Sequence, residues 1–139
     1  MLNIQEEIKN HYPLTNKMNC DFNCYCLAKR RYLVFWDAFI EKGSMEQILK
    51  ELQEKTNNAN FKTWKTFIVV GKTTEEFQKA ELLYFNNVNM FVVFYLVNDK
   101  ENKIYMDNSW IFPLGCNYKK YVNRIHEIIT NSLRCAGQS

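Results

Sequence analysis

Met90-Phe91-Val92-Val93-Phe94-Tyr95-Leu96-Val97, then Asn98-Asp99-Lys100-Glu101-Asn102, then Lys103-Ile104-Tyr105-Met106-Asp107 is the stretch that decides the fold class. Residues 88–97 are the most apolar part of the chain and are dominated by β-branched and aromatic side chains, which favour strands. Residues 90–97 therefore predict a central strand. The polar residues 98–102 read as a turn. Residues 103–107 then pair back as the second arm of an antiparallel hairpin.

Working outward, Thr63-Trp64-Lys65-Thr66-Phe67-Ile68-Val69-Val70-Gly71 predicts a second buried strand. Between the two, Thr73-Thr74-Glu75-Glu76 can cap a brief helix through Phe77 and Lys79. Beyond the hairpin, Ser109-Trp110-Ile111-Phe112-Pro113-Leu114-Gly115 is an apolar loop, and Pro113 excludes it from a regular central strand. Tyr118, Tyr121, Val122, Ile125, Ile128 and Ile129 recur at helical spacing and predict a final helix over 118–133.

Towards the N-terminus, Ser44-Met45-Glu46-Gln47 has the form of a capping box. Met45, Ile48, Leu49 and Leu52 continue it as one apolar stripe, which predicts a helix over 45–55 and a loop at 57–60. Residues 31–36 suit a buried strand, or the start of a helix through Tyr32, Phe35, Trp36, Phe39 and Ile40 ending at Gly43. The alternation of Phe22, Cys24 and Cys26 favours two strands here. Asn3 stands three residues before Glu6, and Ile4 and Ile8 share a helical face, so a short first helix runs to about Lys9. Tyr12-Pro13 ends it.

Neither a repeat nor a linker divides the chain, so one domain over 1–139 is expected. Its class is α/β or α+β. It has a mixed sheet of about five strands, an antiparallel C-terminal hairpin and flanking helices that include a C-terminal one.

The 139 residues are 47% hydrophobic and 24% charged, enough to bury a core and too apolar for wholesale disorder. No apolar run approaches the roughly 18 residues of a membrane-crossing helix. The opening residues carry Glu6 and Glu7 and no apolar leader core, so a cytoplasmic location is expected. Heavy use of Asn and Lys with scarce Gly and Pro points to an AT-rich genome. The five cysteines cannot all pair within one chain, so reduced thiols are expected. Cys20, Cys24 and Cys26 share parity and would share one face of a strand. They lack the C-x2-C knuckles of a structural zinc site, and Cys116 and Cys135 supply no second half-site. No metal and no cofactor are expected.

Each chemical motif has a plainer competing reading. Gly71-Lys72-Thr73 lacks the upstream glycine of a phosphate loop. Glu101-x-Lys103, with Asp37 as a distant partner, has the spacing of a minimal metal-dependent nuclease, but Glu101 falls in a polar turn. Cys116 precedes the last helix, where a thiol can be activated for hydrolysis. Gly115 as a turn and Asn117 as a cap explain the same residues. His126 reads as a solvated helix-face residue.

The net charge is only +3, and Arg30, Arg31, Arg124 and Arg134 are the arginines among 18 cations. Lys29, Arg30, Arg31, Lys119, Lys120 and Arg124 form at most a modest basic face for nucleic acid. Aromatic residues reach 15%, which fits a core supplemented by a contact surface. Trp110, Phe112 and Leu114 are the first candidates for that surface, Tyr84 and Phe85 the second.

By elimination the expected function is a non-catalytic protein–protein interaction module or accessory subunit. Its partner would be another protein encoded nearby, with no membrane involved. Small size and AT-rich provenance suggest the setting of a prokaryotic conflict system, in an antiviral defence complex or as a toxin-immunity partner. The alternatives are a small enzyme, using Cys116 or the Asp37 and Glu101 pair, and a nucleic-acid-binding accessory protein.

Overall fold

The computed structural model describes residues 3–11, 23–28, 31–56, 65–86, 90–106 and 115–137. In chain order they form α1 (Ile4–His11), β1 (Asn23–Ala28), β2 (Arg31–Phe35), α2 (Met45–Thr56), β3 (Lys65–Lys72), β4 (Leu83–Asn86), β5 (Met90–Asn98), β6 (Lys103–Tyr105) and α3 (Gly115–Gly137). The six strands make one mixed sheet in the order β1-β2-β3-β5-β4, with β6 also on β5.

The centre of the sheet is parallel. Leu33 lies level with Ile68, and Ile68 level with Val93. β1 runs antiparallel to β2, with a register shift between Cys26 and Ala28. β3 occupies one edge of β5, so β4 and β6 share the other, end to end. β4 pairs along Met90–Val93 and β6 along Leu96–Asn98, both antiparallel.

Side chains of alternating parity enter two separate cores. Leu33, Phe35, Ile68, Val70, Val93 and Tyr95 meet Ile4 and Ile8 of α1 and Ile125, Ile128, Ile129 and Leu133 of α3. Val34, Phe67, Val69, Val92 and Phe94 meet Ile48 and Leu52 of α2, together with Ile40, Phe77 and Leu82. Helices cover both faces of β3 and β5, which is why their sequences are apolar without alternation. Full burial of each such side chain contributes about 1.5–3 kcal/mol, so the central strands carry most of the stabilisation.

Four local expectations need correction. Ser44 does not cap α2. A 3-10 turn over Lys42–Ser44 leads into the helix, and the Ser44 hydroxyl accepts from the Glu41 N–H at 2.9 Å while donating to the Glu41 carbonyl. Residues 73–78 form no helix. The Thr73 N–H donates to the Val97 carbonyl at 3.0 Å, extending β3 beside β5, and the Thr73 hydroxyl accepts from the Glu75 N–H at 3.1 Å. A threonine hydroxyl that takes a nearby N–H stabilises a turn at the expense of a helix. A 3-10 turn at Lys79–Leu82 then delivers β4, a strand too short to show in the pattern. Finally, α3 begins at Gly115, so Cys116 and Asn117 lie in its first turn and Asn117 is not the cap. Asn3 behaves as expected: its Oδ1 accepts from the Glu6 N–H at 3.1 Å.

Candidate functional site

The carboxyl ends of β2 and β3 meet irregularly. The Trp36 N–H donates to the Val70 carbonyl at 2.9 Å, and the Ile40 N–H donates to the Lys72 carbonyl at 2.8 Å. Between those two bonds one chain advances from 36 to 40 and the other only from 70 to 72. A regular parallel ladder advances equally, so two extra residues are accommodated and 37–39 loop out of the sheet.

Gly71 makes this possible. A Cβ at position 71 would stand 2.6 Å from Ile40 Cδ1 and 3.6 Å from Trp36 Cβ. Ile40 is fully buried, so its return against the bare glycine backbone anchors the far end of the bulge in the α2-side core. This close approach accounts for Gly71, the residue that gives Gly71-Lys72-Thr73 its phosphate-loop look.

The bulge is fixed at its base and open at its tip. Asp37 and Ala38 are exposed, and Phe39 is 46% exposed, which makes it the exposed large hydrophobic residue among those described. Beside it lies a cleft of about 440 Å³. It is lined by Asn3 and Gln5 at the start of α1, by Trp36, Asp37 and Phe39, and by Gly71 and Lys72 at the end of β3. Open α/β sheets commonly bind ligands outside the carboxyl ends of their strands.

Lys72 is already engaged. Its ammonium is 3.5 Å from Asp99, with side-chain exposures of 20% and 19%. Asp37 is exposed and makes no ion pair with another described residue.

A second polar feature lies inside the molecule. The hydroxyl of fully buried Tyr95 shares a 3.1 Å hydrogen bond with His126 Nδ1. Burial pushes the Tyr95 phenol far above its ordinary range and the His126 imidazole below its own, so both are neutral near pH 7. His126 is therefore half-buried and fastens α3 to the sheet, contrary to the solvated reading. Its position beside the apolar stripe gave no sign of the phenol, which comes from a strand 31 residues away.

The residues singled out in the sequence disperse. Asp37 lines the cleft, whereas Glu101 is exposed in the β5–β6 turn with Lys103 at 3.7 Å. Among the described residues no group of three His, Cys, Asp or Glu side chains is placed to hold a metal ion. Cys24 is buried and Cys26 half-buried on one side of β1, with Cys26 opposite Tyr32. Cys20 lies outside the described residues, as does the Cys116 side chain.

Trp110, Phe112, Leu114, Lys29 and Arg30 also lie outside the described residues. Tyr84 is half-buried on β4, packed against the α2-side core. Phe85 sits beside it on β4, level with Phe91, and its side chain is outside the described set. Arg31 is half-buried at the start of β2. Lys119 and Lys120 lie on the first turns of α3, with side chains outside the described set. Arg124 is exposed, donates to the His11 carbonyl at 3.2 Å and stands 3.4 Å from Glu127, so it joins α3 to α1.

Sequence reasoning missed the 37–39 bulge. The signal that could have revealed it is the polar Asp37 interrupting two apolar runs, with a lone glycine in the neighbouring strand.

No protein-family model, curated protein or solved structure matches this chain. Among the described residues no helix is long and apolar enough to cross a membrane.

Proposed function

We propose that this chain is a non-catalytic protein–protein interaction module, an accessory subunit that docks another polypeptide through the bulge at the carboxyl ends of β2 and β3. The observation that carries the reading is Phe39, 46% exposed on a bulge whose two ends are hydrogen-bonded to β3. Nearly every other large apolar side chain described is at least half-buried, so the fold has capacity to hide rings and leaves this one out. An aromatic side chain on a rigid support loses little entropy on binding, which is the property of an interface anchor. Trp110 and Phe112, expected from the sequence to lie in an apolar loop, are offered as a second contact in the same proposal. In this reading the module works in the cytoplasm, where thiols such as Cys24 stay reduced.

The test is affinity capture of the tagged chain from its native cells, with mass spectrometry of what is retained. A partner encoded nearby is expected at fixed stoichiometry. Phe39→Ser and Ala38→Arg should weaken it by at least about tenfold, the effect of losing a modest hot spot. An equal affinity in both variants, each shown to be folded by circular dichroism, would overturn the proposal.

A further inference from the structure

The chemistry of the bulge names the partner group more closely, on the footing that the bulge is a docking surface. We infer that the corner formed by Trp36, Asp37 and Phe39 receives a basic side chain, Arg or Lys, of the partner polypeptide. Three observations carry this. The Asp37 carboxylate is exposed and has no cation paired to it among the described residues. The cation that shares the cleft, Lys72, is turned to Asp99 at 3.5 Å and is largely shielded, so it neither neutralises Asp37 nor strongly repels an incoming positive charge. Two aromatic residues close to Asp37 in the chain line the same cleft, Trp36 half-buried with packing against the α2-side core and Phe39 exposed.

Asp37, Lys72 and Asp99 sum to one negative charge, with no further ion pair to Asp37 among the described residues, on a chain whose net charge is +3. A carboxylate with no cation paired to it among the described residues, in a cleft that two aromatic residues also line, suits a group that is cationic at its tip and apolar along its stem. The carboxylate accepts charge-assisted hydrogen bonds from the tip, while the ring faces attract the charge and cover the methylene groups.

The first turn of α1 does not reverse this preference. Its positive end is occupied by Asn3 Oδ1 at the Glu6 N–H, and Glu6 and Glu7 stand in the same turn. The source is a polypeptide rather than a free small cation because Asp37, Ala38 and Phe39 are all exposed. A small-molecule site encloses most of its ligand, whereas an open corner needs further contacts that only a larger partner brings.

The test uses the full chain labelled with 15N, with the Trp36 indole and the 37–39 amides assigned. It is titrated with end-capped Gly-Arg-Gly, Gly-Glu-Gly and Gly-norleucine-Gly tripeptides and with ethylguanidinium. The arginine peptide should shift those signals, weakening with added salt and about fivefold in Asp37→Asn, and the glutamate peptide should not shift them. The inference is overturned if the glutamate or norleucine peptide acts as strongly as the arginine peptide, if Asp37→Asn binds unchanged, or if no probe moves the signals. Ethylguanidinium binding as tightly as the arginine peptide would make this a site for small cations and would also overturn it. Capture from native cells separates the two levels. A partner lost in Phe39→Ser but held at full affinity by Asp37→Asn keeps the docking proposal and removes the basic side chain. A partner held by both variants removes the docking proposal itself.

Discussion

The bulge at 37–39 and the turn at 99–102 both interrupt the carboxyl end of the sheet, but they are finished differently. The turn is closed by its own polar groups. Buried Asn98 accepts from the Glu101 N–H at 3.1 Å, Asn102 takes the left-handed conformation at φ 57°, and Asp99 meets Lys72. Asparagine tolerates that backbone better than most residues. The bulge is secured only at its base, by Trp36, Ile40 and Gly71, while its tip presents a ring and a carboxylate. The bulge thus leaves exposed side chains on a hydrogen-bonded base, whereas the turn ties its polar groups down.

The comparison breaks most visibly at the base of the bulge. Gly71→Val should destabilise the protein by about 2–3 kcal/mol in urea unfolding, because the new side chain must displace buried Ile40. A loss near zero would mean that the bulge is not locked to β3.

A sealed interior pair makes a second contrast with the open tip. Tyr95→Phe should cost about 1 kcal/mol by removing the hydrogen bond to His126. The same pair sets a pH dependence. Burial holds the His126 pKa below its usual value, so the folded chain resists a proton that the unfolded chain takes up near pH 6.5. The stability contributed is complete above that pH and is lost as pH falls through the lower folded value. Thermal unfolding between about pH 7.5 and 5 should show a steeper decline in the wild type than in His126→Gln.

In the turn, Asn98→Ala should cost about 1 kcal/mol, since the Glu101 N–H loses its acceptor. At the tip, Ala38→Arg and Asp37→Asn should change stability by less than about 0.5 kcal/mol in the same unfolding assay. A large loss at the tip would give its residues a structural role and erase the distinction between the two segments.

How much of this could be read beforehand depends on how local each cause is. β3, β5 and the body of α2 were legible because burial on two faces, or on one helical stripe, writes a period into consecutive residues. α1 was legible because Asn3 and Glu6 are near neighbours. β4 was not, because Leu83–Asn86 is too short to establish a period and owes its conformation to pairing with β5. The run at 73–78 looked like a helix start until the edge of β5 offered Thr73 a distant carbonyl. Of the candidate site, the sequence marks Asp37 as a carboxylate candidate. Its setting between Trp36 and Phe39 over Gly71 needed the register of β2 against β3, which no local pattern carries.

The amino-acid sequence by itself determined the fold class, the central strands and the main helical faces, because these follow from hydrophobic periodicity within single segments. Tertiary structure alone decided where the sheet departs from regularity, which buried phenol meets His126, and which aromatic ring stays outside. Those outcomes depend on contacts between residues far apart in the chain. Phe39 is exposed because Ile40, its neighbour, is drawn under the sheet by a glycine 31 positions later.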